Sequence, residues 1–322
     1  MAGPGVAFVF PDKNLEQQFN AGRFRSRGVA ARLLAARPVR PRLPKPPRDG
    51  ARVRSGQTRA NAVLEEARPL LDLLWEKALD LGRMPEFDEV SNLSEIDSRV
   101  GGLGKAIRLL MRHYPMPMLA AAASTRSDDL RLFLAAQQFS RRPAYRQLEP
   151  RLQKDIKTFF GDYHSAQSAG LALLRDAAVP SKIFEACQVA ATAGLGWLED
   201  QRSLQLHVSM VERLPAVLRA YVACGLILWD AMSDVQLVKI HIASGKLTLM
   251  EFDDFDSSPT PLLRRRIKVN IRRQDCEVFE YGTREYPKPL LFNKSRFLDE
   301  DYPGFAEQLA FDEALAATGV LD

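Results

Sequence analysis

Cysteine, histidine and tryptophan are scarce in these 322 residues: three Cys, four His and three Trp. Cys187, Cys224 and Cys276 stand far apart without C-x-x-C spacing, and the histidines are equally scattered. That pattern argues against a disulfide framework or a zinc site and points to reduced thiols and the cytoplasm. Long apolar runs are missing too. None approaches the roughly 18–20 residues that span a bilayer, and the first residues lack a charged start, an apolar core and a small-residue cleavage site. No membrane is expected among the partners.

Glycine-rich cofactor loops are absent as well. The two glycine clusters, Gly101, Gly102 and Gly104, then Gly194 and Gly196, lie among helical or polar residues with no β-branched run before them. A loop that lets backbone approach a nucleotide-like cofactor must follow a strand directly. Helix caps or loops are the better reading of both.

What the chain does have is a large apolar fraction and an uneven charge. At 36.1 kDa and 46% hydrophobic, it can bury a core of two compact units or one large one. Residues 1–60 hold 13 Lys and Arg against three acids, so this short stretch carries +10 while the remainder carries −5. Its cations are Lys13, Arg23, Arg25, Arg27, Arg32, Arg37, Arg40, Arg42, Lys45, Arg48, Arg52, Arg54 and Arg59. Residues 1–12 read as a terminal strand and 13–60 as a basic arm, with a short basic helix at 14–36. Prolines alternate with cations from 37 to 48, which favours polyproline over helix. Twelve cations from Arg23 onward suit phosphate contacts, because each neutralised phosphate releases a counterion; a solubilising linker is the alternative.

Residues 61–234 read as a helical domain. Apolar positions recur at helical spacing over 61–81, and again over 128–136, 148–160, 166–178, 182–190 and 208–229. Between the first two lies a Gly-Arg-x-Pro turn at 82–85, then two short helices that resemble the small repeats accompanying homing endonucleases. A helix-turn-helix-like element here would present Arg99, Lys105 and Arg108 to phosphates or base edges. An ordinary helical hairpin with solvated cations is the competing reading. Lys154, Lys157, Arg141 and Arg142 read as a solvated face.

The pattern changes at 235. Val238, Ile240 and Ile242 alternate with polar residues, Ser244 and Gly245 turn the chain, and Leu247 and Leu249 alternate on the return. A second hairpin pairs 266–272 with 277–281, and 305–318 closes as a helix. The fold class is therefore mainly α, a helical array with a small C-terminal antiparallel α+β unit at 235–322.

The tail also carries a resemblance. Residues 239–241 (Lys-Ile-His), 252–256 (Phe-Asp-Asp-Phe-Asp) with Pro259 and Pro261, 263–272 and 301–303 (Asp-Tyr-Pro) resemble the C-terminal end of the DNA phosphorothioation-associated methyltransferases, a bacterial family encoded beside DNA sulfur-modification genes. Residues 146–163 and 207–223 resemble the family's middle portion, and 4–12 the strand that ends its S-adenosylmethionine-binding domain. The resemblance implies that this chain begins where the catalytic domain stops. S-adenosylmethionine is expected only in that other domain, and the Asn/Asp-Pro-Pro-aromatic loop for a flipped base is absent here. The implied role is accessory and non-catalytic: binding DNA, or positioning a methyltransferase domain or DNA phosphorothioation proteins.

Two other readings stay open. Glu251, Asp253, Asp254 and Asp256 form an acidic turn, and carboxylates at a strand end can hold magnesium for phosphodiester cleavage. The acidic-x-Lys triplet such a nuclease uses is missing, since Arg266 precedes Ile267 and Lys268, and a capped turn explains the same residues. The third reading is a protein-interaction module. His207 and His241 lack a relay partner, and Cys224 and the tryptophans read as core.

Overall fold

The computed structural model describes residues 2–3, 6–7, 50–139, 143–229 and 234–319, with side chains from Glu65 onward. The cations from Lys13 to Arg48, the proline run, residues 8–12 and the Arg141-Arg142 pair lie outside them. The chain divides into two compact units, residues 1–61 and 62–322. In the first, β1 (Ala2–Gly3) pairs antiparallel with β2 (Val6–Ala7), the only described part of the expected terminal strand.

Helix α1 spans Gly50–Leu81. The stretch read as a basic arm at 13–60 runs into this helix, so Arg52, Arg54 and Arg59 are helical. From residue 67 the helix buries Leu71, Leu74, Trp75 and Ala78, spaced three and four apart as one apolar stripe. Against them pack α2 (Leu93–Arg99) and α3 (Leu103–His113) through Ile96, Val100, Leu103, Ala106 and Leu110.

The next helices form a second group: α4 (Met116–Ala136), α5 (Pro150–Phe160), α6 (Tyr163–Asp176) and α7 (Pro180–Thr192). Helices α4 and α6 approach closely at Gly170, where a Cβ would come within 2.9 Å of the Leu134 and Ala135 backbone. Asp162 caps α6 by accepting from the Ser165 amide at 2.7 Å.

One six-stranded antiparallel sheet follows, with neighbours in chain order: β3 (Trp197–Glu199), β4 (Ser203–His207), β5 (Leu237–His241), β6 (Lys246–Asp253), β7 (Leu262–Asn270) and β8 (Asp275–Glu280). The mainly helical architecture with a small antiparallel sheet toward the C-terminus is as the periodicities predict. The boundary at 235 is not: β4 pairs with β5 along its whole length, so the sheet draws its first hairpin from 197–207. That hairpin interrupts the stretch read as wholly helical, and the helix expected over 208–229 is a 3-10 turn at Val208–Arg213 followed by α8 (Ala216–Leu228). Pro215 explains the break, since the residue before proline is pushed from helical dihedrals; Leu214 is extended.

The larger core lies between this sheet and the helices. Leu204, Leu206, Val238, Ile240, Leu247 and Ile267 face Ile183, Cys187, Leu218 and Val222. Tyr221 of α8 ties to the β5–β6 turn by donating to the carbonyls of His241 and Lys246, at 3.2 and 3.0 Å. On the opposite face, residues 291–305 cover Leu237 and Phe252. Helix α9 (Phe305–Ala317) follows.

Candidate nucleic-acid interface

Helices α2 and α3 are joined by Val100, Gly101 and Gly102 alone. Both glycines have left-handed φ, +87° and +108°, a conformation open to glycine at little steric cost. The amides of Val100 and Gly101 donate back to the Ile96 carbonyl at 2.9 and 3.1 Å, closing α2 before α3 starts. Two short helices thus meet at a tight turn and pack on α1.

Helix α3 holds no Asp or Glu. Leu103, Ala106 and Leu110 are buried, and Lys105, Arg108, Met111 and Arg112 are exposed. Lys105, Arg108 and Arg112 lie at i, i+3 and i+7, one stripe of the helix, and none has an acidic partner within salt-bridge distance among the described residues. Arg99, the third predicted contact, differs: it pairs with Glu95 one turn back on α2 at 3.2 Å. Arg112 was not singled out from sequence, though its spacing from Lys105 and Arg108 would have found it.

The Gly-Arg-x-Pro turn serves the scaffold. Gly82 has φ +66°, and Arg83 is 6% exposed. Its guanidinium donates to both Glu89 oxygens at 2.7 Å and to Asp155 Oδ1 on α5 at 2.8 Å. The same guanidinium lowers the Glu89 carboxyl to about 2, chiefly through those hydrogen bonds. Lys154, read as solvated, pairs with Glu86 and Asp88 instead. Asp88 is pulled down in return, first by its bond to Lys154.

The acidic turn does not gather its carboxylates. Glu251 is 1% exposed and accepts a two-pronged pair from Arg265 at 2.9 and 2.7 Å, plus Arg264 at 3.1 Å. Asp253 is engaged by Lys288 and Asp256 by the Tyr302 hydroxyl. Asp254 makes the turn itself: with φ +50°, its carbonyl accepts from the amides of Ser257 and Ser258 at 3.2 and 2.8 Å. Lys294 locks the loop from the far side, donating to the carbonyls of Phe255 and Ser258 at 2.7 and 2.8 Å. Among the described residues no group of three His, Cys, Asp or Glu side chains could hold a metal.

Nor do the residues fit an S-adenosylmethionine loop. Gly101 and Gly102 join two helices, and Gly194 and Gly196 come before β3, after α7. The strand, glycine turn and helix that such a cofactor needs do not occur at either place, and no methyl-transfer step is assigned to these residues. No helix among the described residues is long and apolar enough to cross a membrane. Comparisons with protein-family models, curated proteins and solved structures return no match.

Proposed function

We propose that this chain is a DNA-binding accessory module of a DNA phosphorothioation-associated methyltransferase system, contributing no chemistry itself and positioning modification machinery supplied by another domain or chain. The observation that carries the DNA-binding half is the unneutralised cationic stripe on α3. Three cations without acidic partners among the described residues, on a helix that a tight turn presents beside a second helix, suit phosphate and major-groove contacts. The arginines of residues 1–60 add a second source of phosphate neutralisation. The modification-system half rests on the tail motifs at 239–241, 252–256 and 301–303. Two of these meet in space, because Asp256 and Tyr302 are hydrogen-bonded. Anisotropy with labelled duplex DNA tests the reading: charge reversal at Lys105 and Arg108 is expected to abolish most binding, and duplex affinity equal to that of the parent would remove its support.

One feature favours a protein-interaction role as the second reading. Helix α9 buries Gln308 and Asp312 and exposes Leu309 and Phe311, the reverse of the usual surface helix. Co-purification of a partner that is abolished by Leu309→Asp would support it.

A further inference from the structure

The face of the sheet opposite the helices is polar and cationic. Cross-strand register brings Gln205, Lys239, Thr248, Lys268 and Glu277 into one row across β4 to β8. Arg266 and Phe279 are paired in the row on one side of it, and Lys246, Asn270 and Asp275 align in the row on the other. Among the described residues, the 291–305 segment covers the Leu237 and Met250 end and the Trp197 edge.

The cations on this face differ in what occupies them. Lys239 is committed to Glu199, which also accepts from Ser203 and Gln205. Lys246, Arg266 and Lys268 have no acidic partner within salt-bridge distance among the described residues, although Glu277 lies across from Lys268. The Arg266 Nε is buried with no hydrogen-bond partner, a donor that costs free energy until an acceptor reaches it. Arg266 and Lys268 also flank one partly exposed ring: they lie 5.0 and 4.8 Å from the Phe279 centroid. His241 Nε2 lies 3.0 Å from the Thr248 hydroxyl. Its ring is held neutral by burial first and then by Lys239, Lys246 and Lys268 around it, against Glu199. The field here favours an anion.

We propose that this sheet face is a second nucleic-acid site that takes a single strand, with phosphates on Lys246, Arg266 and Lys268 and a base against Phe279. Shape selects the single strand. Six strands spaced about 4.8 Å apart make a surface roughly 24 Å wide, too broad for a major groove of about 12 Å. A single strand can lie across a sheet and stack bases on its aromatic side chains. Trp197 at the other edge is not available in the same way, being packed by Phe297 and covered by Arg296. The site shares the nucleic-acid reading of α3 but none of its residues, so each can fail alone.

The test is anisotropy of the full chain with labelled oligo-dT, oligo-rU and duplex DNA over a salt titration. The pair Arg266→Gln and Lys268→Gln is expected to weaken oligo-dT binding at least tenfold and to flatten its salt slope by about 0.7 for each phosphate no longer neutralised. Phe279→Leu is expected to weaken it roughly tenfold by removing the stacking ring. Photocrosslinking of the unmodified chain to an oligo-dT carrying 5-iodouracil needs no variant and is expected to mark the peptide that contains Phe279. Unchanged oligo-dT affinity in the variants, a crosslink elsewhere, or equal loss of duplex and single-strand binding would each overturn the second site. Comparison of oligo-dT with oligo-rU tells whether the strand is DNA or RNA.

Discussion

Arg83 and Asp155, 72 positions apart, meet at 2.8 Å where neither is more than 6% exposed. Asp155 is shared: Arg126 of α4 donates to its other oxygen at 2.9 and 2.7 Å. One carboxylate on α5 therefore fixes the turn after α1 and the middle of α4. This node holds the α1–α3 group, with its cationic stripe, against the rest of the helical array.

Removing that carboxylate leaves the buried Arg83 guanidinium with Glu89 alone and takes from Arg126 its acidic partner among the described residues. Asp155→Ala is expected to cost about 3–5 kcal/mol, the range for breaking a buried pair from one side, read from urea unfolding. A loss below about 1 kcal/mol, the range of exposed pairs, would mean that the node is solvated.

Acid should loosen the same region. Glu89 is held at about 2, against an ordinary value of 4.5, mainly by the Arg83 hydrogen bonds. A depressed carboxylate stabilises the fold fully above its unfolded value and loses that contribution as pH falls through its folded one. Stability is expected to drop between about pH 4.5 and 2, and Glu89→Gln should flatten that part of the profile. An unchanged profile in the variant would assign the loss to other carboxylates.

Gly196 has φ +95°, and a Cβ there would come within 2.5 Å of the Gln205 carbonyl oxygen on β4. Gly196→Ala combines a strained backbone with a backbone clash and should destabilise by at least about 1–3 kcal/mol. Thermal unfolding checks this; Gly194→Ala, also at positive φ but with nothing within 4 Å, is expected to cost less. Equal effects would show that the clash is relieved cheaply.

On DNA, Lys105→Glu with Arg108→Glu should weaken duplex binding and lower the log–log salt slope by about 0.9 for each phosphate no longer neutralised. Deleting residues 1–49 leaves α1 whole and separates the arm's contribution. If the deletion removes all binding while charge reversal on α3 removes none, the helix is a spectator.

The acidic turn is expected to be inert toward metal. Calorimetry with magnesium or manganese should show no binding that depends on Asp254 or Asp256, and DNA should stay intact with either ion. Cleavage abolished by Asp254→Ala and Asp256→Ala would restore the nuclease reading.

The elements were largely legible because their signals are local. Helical spacing at Leu71, Leu74, Trp75 and Ala78 reports one buried stripe, and alternation at Val238, Ile240 and Ile242 reports one buried sheet face. The turn at Ser244 and Gly245 was readable for the same reason. The strands at 197–207 were missed although Ser203 to His207 alternates polar and apolar residues: β3 is three residues long and β4 five, too short for the period to stand out beside the helical spacings around them.

The site was legible only in part. Lys105 and Arg108 announce themselves by charge and spacing, whereas the Lys154 pairs, the Arg83 node and the dispersal of the acidic turn depend on partners far along the chain. Residues 239–241 stand out by resemblance, and nothing local says that Lys268 and Phe279 join them on one open surface.

Sequence by itself determined the helical array, the antiparallel tail and the charge asymmetry, since each follows from residue types at short separation. Tertiary structure decided, among the described residues, which cations remain without a carboxylate and which part of the polar sheet face stays uncovered, and that α9 turns Gln308 and Asp312 inward with Leu309 and Phe311 outward. Those outcomes depend on strand register and long-range pairing, which local periodicity does not encode.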